Sequence, residues 1–204
     1  MGEKIITVGI PCFNGEDTLE RCVNSILDQS FEHFELLIID DGSTDSTPDI
    51  ADKLSTRDSR IRVIHQKNRG LSGSRNRTIS ESCCNYVCFI DSDDTIEKDY
   101  LRDLYQAMID NDADLSICKY YLDNCKHEVG ENKIVSINEA YRELLIPTKN
   151  YAAFAWNRLY RVDVIKKYNL QYDEQIYGNE DALFNFQYLE HCDRVVMVER
   201  EVLW

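Results

Sequence analysis

Three carboxylates crowd together directly after an apolar run near the middle of the chain. Run 86–90 is followed by Asp91, Ser92, Asp93 and Asp94. Carboxylates this close repel each other unless a proton or a cation neutralises them. In an extended segment Asp91 and Asp93 point to the same side, so both can bind one hard cation. Mg²⁺ or Mn²⁺ suits carboxylate oxygens and keeps coordination positions open for the oxygens of a diphosphate.

Two other apolar runs also end in residues that can bind a ligand. Run 5–10 is followed by Pro11, Phe13 and Asn14, and run 34–39 is followed by Asp40 and Asp41. A single acid after a strand is usually a turn former or a helix cap. One acid suffices for that role, so the second acid, Asp41, is the candidate ligand. We expect it to be a surface residue that contributes little to stability.

Two arginines lie near the start of a predicted helix, residues 72–82. Arg75 and Arg77 stand out because the chain has a formal net charge of −14. The amides at a helix start, together with an arginine, can receive a phosphate group. A surface salt bridge is the alternative for each arginine, and the residue types leave that choice open.

The elements that must position these residues alternate between strands and helices. Apolar runs predict strands at 5–10, 34–39, 61–65, 86–90 and 114–120, and the intervening segments predict helices at 17–29, 46–54, 72–82 and 98–111. This alternation is typical of an α/β domain with a mainly parallel central sheet and helices on both faces. Such sheets bind ligands outside the carboxyl ends of their strands, so the polar residues should converge on one crevice.

The alternation weakens after Tyr121. We expect a loop or hairpin tip at 124–133, helices at 138–146, 162–168 and 179–191, a strand or irregular segment at 154–160, and a last strand at 194–198. Neither a repeat nor a linker separates these parts. We therefore predict a single domain over residues 1–204, with two functional halves that divide near Asp123.

Charge and cysteine content narrow the class of function. With 37 Asp and Glu against 23 Lys and Arg, the chain would repel nucleic acids and anionic membranes. The eight cysteines include no CxxC pair and several lie in apolar runs, which indicates buried free thiols in a reducing compartment. The sequence has no apolar run that could span a membrane, and its start is too short for a signal peptide. We therefore expect a cytoplasmic protein.

Five segments resemble, in order, motifs of the family 2 glycosyltransferases, which have the GT-A fold. They are PCFNGEDTLERCVNSILDQSFEHFELLIIDDGSTDST, NRGLSGSRNRTIS, FIDSDD, AWNRLYR and GNEDALF, and they extend over about residues 5–190. The resemblance implies a Rossmann-like GT-A domain and an inverting transfer of a hexosyl or N-acetylhexosaminyl group from a nucleotide-sugar, usually a UDP-sugar. It also implies a saccharide or lipid-linked acceptor, as in polysaccharide or cell-surface glycan synthesis, and leaves peripheral association with the inner membrane face open.

By this resemblance residues 1–122 form the nucleotide-binding half. The resemblance assigns nucleotide binding to Pro11, Phe13, Asn14, Asp41, Arg75, Asn76, Asp91 and Ser92. Within this set, Asp41 accepts a hydrogen bond from the base and Asp91 approaches the ribose. Asp93, together with Asp91, forms a DXD motif that holds the Mn²⁺ or Mg²⁺ bridging the diphosphate.

Residues 123–204 then form the acceptor-side half. In it Asp181 matches the general base, Glu180 is the next candidate, and Trp156 and Asn157 face the sugar and the acceptor. Inverting transfer needs a base on the acceptor hydroxyl and charge stabilisation on the leaving diphosphate, and a carboxylate and a cation meet these two needs. The alternative for Glu180 and Asp181 is a pair of helix-start acids that favour the helix dipole.

Other interpretations of the motifs remain. Residues 91–95 also spell the D-x-D-x-T loop of haloacid-dehalogenase-like phosphatases, in which Asp91 would be phosphorylated; however, no clear G-D-x-x-x-D segment follows. A catalytically inactive nucleotide-sugar binding module is a further alternative, which the acids at 91, 93 and 181 disfavour. Family members commonly continue beyond the point that corresponds to residue 204, so we expect a C-terminal segment to be missing.

Overall fold

One β-sheet organises the part of the chain that the computed structural model describes, residues 4–120, 131–145 and 153–202. Its strands are β1 (Ile6–Cys12), β2 (Phe34–Asp40), β3 (Ile61–His65), β4 (Tyr86–Phe89), β5 (Leu115–Tyr120), β6 (Lys133–Val135), β7 (Arg158–Arg161) and β8 (Val195–Val202). The helices are α1 (Leu19–Leu27), α2 (Thr47–Arg57), α3 (Gly70–Glu81), α4 (Tyr100–Asp110), α5 (Ile137–Leu145), α6 (Val162–Tyr168) and α7 (Glu180–Leu189).

The strands lie in the order β3-β2-β1-β4-β7-β5-β8-β6. Parallel pairing joins β3, β2, β1 and β4, and also joins β5 to β8. Strand β7 pairs antiparallel with both β4 and β5, and β6 pairs antiparallel with β8. The predicted mainly parallel sheet is therefore confirmed, with β7 inserted between the fourth and fifth strands.

Helices cover both faces of the sheet because alternate side chains of a strand point to opposite faces. Cys88 and Ile90 belong to a core that includes residues of α1, α2 and α4. Val87 and Phe89 belong to a second core that includes residues of α3, α5, α6 and α7. The long apolar runs in the sequence therefore reflect strands that are buried from both sides.

A glycine lets α3 approach the sheet closely. A Cβ atom added at Gly9 in β1 would lie 2.4 Å from Cγ2 of Thr78 in α3, which is well inside van der Waals contact. This close packing matters for the site, because α3 carries Arg75 and Asn76.

Most predicted elements are found within a few residues of their expected bounds. The helix predicted at 162–168 is confirmed as α6, and the ambiguous segment 154–160 is irregular up to residue 157 before β7 begins. The short strand β6 was not predicted. Most of the predicted loop at 124–133, and the division near Asp123, lie outside the described residues.

The predicted free thiols are confirmed for seven cysteines, Cys12, Cys22, Cys83, Cys84, Cys88, Cys118 and Cys192, of which all but Cys83 are buried. Cys125 lies outside the described residues. Within the described ranges, no helix combines the length and the apolar composition that crossing a bilayer requires.

Candidate active site

The carboxyl ends of β1, β2 and β4 lie side by side, as the sequence predicts. In the sheet register Cys12 is opposite Asp40, and Gly9 is opposite Phe89. The segments after these strands therefore begin at one edge of the sheet. This edge gathers the polar residues that follow the first, second and fourth strands.

The segments after β1 and β2 are joined by reciprocal hydrogen bonds. The backbone N–H of Asn14 donates to Ser43 Oγ (2.9 Å), and the N–H of Thr44 donates to Asn14 Oδ1 (2.8 Å). Asn14 thus fixes the segment after β1 against the segment after β2. Pro11 is buried within β1, whereas half of the surface of Phe13 is exposed (51%), so Phe13 is the member of this group with an aromatic face open to a ligand.

Asp41 is buried, with 3% of its surface exposed, and its carboxylate accepts three hydrogen bonds. Oδ1 accepts hydrogen bonds from Gln66 Nε2 (2.7 Å) and the N–H of Arg69 (2.9 Å), and Oδ2 accepts one from the N–H of Gly70 (2.8 Å). The expectation that Asp41 is a surface residue is therefore wrong. Asp41 fixes the segment that starts α3, and its contact with a base stays a prediction.

Replacing Asp41 with alanine should lower the free energy of unfolding by about 2 kcal/mol or more, because three hydrogen-bond donors would lose a buried, charged acceptor. Urea unfolding would measure the change. Asp49→Ala is the matched control, since Asp49 is an exposed acid in the first turn of α2. An Asp41→Ala variant as stable as the control would show that the three hydrogen bonds contribute nothing to folding.

Arg75 connects the two groups of predicted site residues. Its guanidinium is 1% exposed, and Nη1 contacts Asp181 Oδ1 directly and lies 3.5 Å from Glu180 Oε1. Nη2 lies 3.4 Å from Asp91 Oδ1. Arg75 is therefore a buried cation that three carboxylates share, and the surface salt bridge, the alternative that the sequence left open, is wrong for this residue. The surface alternative is correct for Arg77, which pairs with Glu81 at 2.9 Å.

Glu180 and Asp181 begin α7 and face this guanidinium. Asp181 Oδ2 also accepts a hydrogen bond from the N–H of Ala155 (3.0 Å). Burial raises the pKa of Asp181 to about 6, although Arg75 acts in the opposite direction. A carboxylate with a pKa near neutrality is suited to take up a proton and release it again.

The acids after β4 differ in their surroundings. Burial raises the pKa of Asp91, and Arg75 opposes the shift. Burial and then the charges of Asp91 and Asp93 raise the pKa of Asp94 to about 7. Asp93 is exposed, and its backbone carbonyl accepts a hydrogen bond from Arg21 Nη2 (2.8 Å). Excess negative charge therefore accumulates at this strand end.

That excess charge fits a shared divalent cation. Within residues 4–120, 131–145 and 153–202, no three His, Cys, Asp or Glu side chains are arranged to hold a metal alone. Mg²⁺ commonly binds through one or two carboxylates and completes its shell with water and phosphate oxygens. Asp91 and Asp93 offer such a pair, and half-buried Ser92 lies between them.

Three other residues that were predicted for the site form hydrogen bonds that involve backbone groups. Asn157 is fully buried, and its Nδ2 donates to the carbonyl of Cys118 (3.0 Å). Asn76 exchanges two hydrogen bonds of 2.8 Å with the backbone of Tyr172. Trp156 is buried, and its carbonyl accepts a hydrogen bond from the hydroxyl of Tyr100. Direct contact of these side chains with a ligand stays a prediction.

Sequence reasoning missed two parts of the site. The ring of Tyr172 lies 5.4 Å from the Arg75 guanidinium and stacks on Phe184, with centroids 4.0 Å apart. The apolar and aromatic residues around Tyr172 in the sequence could have suggested that it lies in the core, but they give no sign of its contact with Arg75. The second part is the backbone N–H of Ala155, for which a sequence offers no signal.

Comparison with known proteins matches residues 7–169 to the family described as Glycosyl transferase family 2. Glycosyltransferase GlyA of Streptococcus pneumoniae is 32% identical over 209 residues, which cover 97% of this chain and 30% of the relative. S. aureus TarS 1–349, solved in complex with UDP, is 22% identical with a TM-score of 0.81, over 97% of this chain and 59% of that 1–349 chain.

A second solved structure is more distant in sequence. The mannosyltransferase PcManGT from Pyrobaculum calidifontis, in complex with GDP-Man and Mn²⁺, is 14% identical with a TM-score of 0.74. The match covers 100% of this chain and 57% of that protein. The chain thus spans between about a third and three fifths of these relatives, and the two structures share its fold.

Proposed function

Because the chain belongs to glycosyl transferase family 2 and has the GT-A fold, as the sequence motifs imply, we propose that it transfers a sugar from a nucleotide-sugar to an acceptor hydroxyl. The observation that carries the proposal is the buried guanidinium of Arg75. It joins the candidate cation ligand Asp91 to the candidate base Asp181. These contacts support a donor site and a base that lie next to each other.

In the proposed mechanism Asp181 acts as the base of an inverting displacement. The acceptor hydroxyl passes its proton to Asp181 while its oxygen attacks the anomeric carbon of the donor. The bond from that carbon to the diphosphate oxygen breaks, and the diphosphate leaves with the electron pair. Arg75 and the N–H of Ala155 each occupy one lone pair of the Asp181 carboxylate, so its other lone pairs remain for the hydroxyl.

The donor is proposed to be a UDP-sugar that carries a hexosyl or N-acetylhexosaminyl group. The complexes of TarS with UDP and of PcManGT with GDP-Man and Mn²⁺ support a nucleotide and a cation as ligands of this fold. A Mg²⁺ or Mn²⁺ ion held by Asp91 and Asp93 would supply positive charge to the departing diphosphate. The proposed acceptor is a saccharide or lipid-linked glycan, at a cytoplasmic site or the inner face of the membrane.

The match to the family over residues 7–169 includes Asp91, which leaves the phosphatase interpretation without support. The inactive binding module remains the competing hypothesis. Transfer of sugar from UDP-sugar to an acceptor by the wild-type chain separates the two, because a binding module would bind the donor without turnover.

Replacing Asp93 with asparagine should abolish the part of UDP binding that depends on Mn²⁺. Binding to the folded state alone stabilises by about 2.7 kcal/mol at 100 times the dissociation constant, which corresponds to a rise in Tm of about 5–10 °C. Thermal unfolding with UDP, with and without Mn²⁺ and chelator, measures this rise. We expect it for the wild type and not for Asp93→Asn.

The matched control for this experiment is Asp110→Asn, because Asp110 is an exposed acid at the end of α4. This variant should keep the full Mn²⁺-dependent rise. A rise in Asp93→Asn equal to that of the wild type would exclude Asp93 as a cation ligand. No rise in the wild type would contradict the proposed donor.

A further inference from the structure

A cleft of about 430 Å³ lies between the start of α3 and the segment that precedes α7. Its volume falls within the range of small-molecule sites. Its lining includes Arg69, Leu71, Glu174, Tyr177 and Glu180. None of the residues assigned above to the nucleobase, the ribose or the cation is among these lining residues, whereas Glu180, the second candidate for the general base, is.

One wall of the cleft belongs to the catalytic cluster. Glu180 lines the cleft and lies 3.5 Å from Arg75 Nη1, the same nitrogen that contacts Asp181. The acids after β4 approach this guanidinium through Nη2 instead. A molecule in the cleft would therefore meet the base from the Nη1 side, whereas the diphosphate and its cation are expected near Nη2.

The other walls combine an exposed aromatic ring with fixed polar groups. Tyr177 is 96% exposed and Leu71 is 41% exposed, so both present apolar surface to the cleft. Arg69 and Glu174 form a two-point ion pair across it, with Nη2 to Oε1 at 2.5 Å and Nε to Oε2 at 3.2 Å. The three remaining N–H groups of that guanidinium and the free carboxylate lone pairs can still bond a ligand.

This combination suits the chemistry of a pyranose. A sugar ring has faces of C–H groups, which pack on an aromatic ring, and a rim of hydroxyl groups, which bond to planar charged and amide side chains. A phosphate would be repelled by Glu174 and Glu180. A purely apolar ligand would remove water from the unused hydrogen-bonding groups of the Arg69–Glu174 pair and form no hydrogen bonds in its place.

We propose that this cleft is the acceptor subsite, in which Tyr177 stacks on the sugar ring whose hydroxyl is to be glycosylated. The inference rests on the proposed function, since it uses Asp181 as the base. Tyr177 is a binding residue for the acceptor saccharide, and Arg69 with Glu174 orients the hydroxyl rim. A sugar bound in this cleft lies beside Glu180, so one of its hydroxyl groups points towards the carboxylates of α7.

Saturation-transfer difference NMR with the methyl β-glycosides of glucose, galactose and N-acetylglucosamine tests the subsite, with UDP and Mn²⁺ present. We expect ring-proton saturation of at least one glycoside by the wild type. Tyr177→Ala should bind that glycoside about three- to ten-fold more weakly, as expected for one aromatic stacking contact, whereas Tyr177→Phe should bind as the wild type does. Tyr168→Ala, which removes another exposed tyrosine outside the cleft, should have no effect.

Each contrary result is decisive for the subsite alone. Equal binding by Tyr177→Ala and the wild type, equal loss in Tyr168→Ala, or no saturation of any glycoside by the wild type would overturn the proposal. Calorimetry with UDP and Mn²⁺ on the same samples keeps the two hypotheses apart, because donor binding without glycoside binding rejects the subsite and leaves the proposed transferase intact. Because Tyr177 is almost fully exposed, Tyr177→Ala should melt at the wild-type temperature, which confirms that it folds.

Discussion

Arg75→Ala should lower the free energy of unfolding by about 3–5 kcal/mol, because removing one partner of a buried ion pair leaves uncompensated charges behind. Asp181, Glu180 and Asp91 would lose the one cation that the structure shows against all three. Urea unfolding would measure this loss. Transfer activity should disappear as well, since the start of α7 would no longer be held against α3.

Two variants control this experiment. Arg77→Ala removes an arginine from the same helix, but one that forms a surface pair with Glu81, so its effect should stay below about 1 kcal/mol. Arg75→Lys keeps the charge and loses the planar fork, so it should be intermediate. Equal stabilities of Arg75→Ala and Arg77→Ala would mean that the buried network does not stabilise the fold.

Asp181→Asn should reduce sugar transfer by about 10²–10⁴-fold, the usual cost of losing a general base, while UDP binding stays nearly unchanged. The asparagine keeps an oxygen for the N–H of Ala155 and cannot accept the proton of the acceptor. Turnover measured beside UDP calorimetry separates chemistry from donor binding. Wild-type turnover in this variant would move the base elsewhere, with Glu180→Gln the next variant to measure.

The pH profile provides an independent check on the same residue. With a pKa of about 6, Asp181 is protonated in more acidic solution, so wild-type transfer should fall about tenfold per pH unit below that value. The raised pKa also means that the folded protein binds the proton more tightly than the unfolded chain. This group therefore makes the free energy of unfolding fall as the pH rises from about 4 through 6.

The sequence predicts well the end of the sheet at which nucleotide binding is proposed, because local signals specify it. Apolar runs that end in polar residues predict β1, β2 and β4, and parallel pairing then brings Asn14, Asp41 and Asp91 to one edge. The same local signals cannot indicate which side chains are buried. Asp41 was expected on the surface because nothing in its neighbourhood shows that Gln66, Arg69 and Gly70 fold back onto it.

The proposed catalytic end depends on contacts between residues far apart in the sequence. The ion pair of Arg75 with Asp181 joins two helices, and the hydrogen bond from the N–H of Ala155 depends on the conformation of an irregular segment. Neither hydrophobic periodicity nor turn chemistry encodes such pairs. The motif resemblance implies the roles of Asp181 and Glu180, and the structure shows that both contact Arg75.

The insertion of β7 between β4 and β5 has a consequence for how this chain acquires its shape. During synthesis, residues 86–89 leave the ribosome long before residues 158–161, yet β4 reaches β5 only through β7. Until then the nascent sheet has an open edge at β4, the kind of edge that invites pairing with other chains. Long-range closure of this sort slows folding and makes the two halves of the sheet one cooperative unit. A fragment that stops before β7 would keep its early strands and carry that open edge permanently.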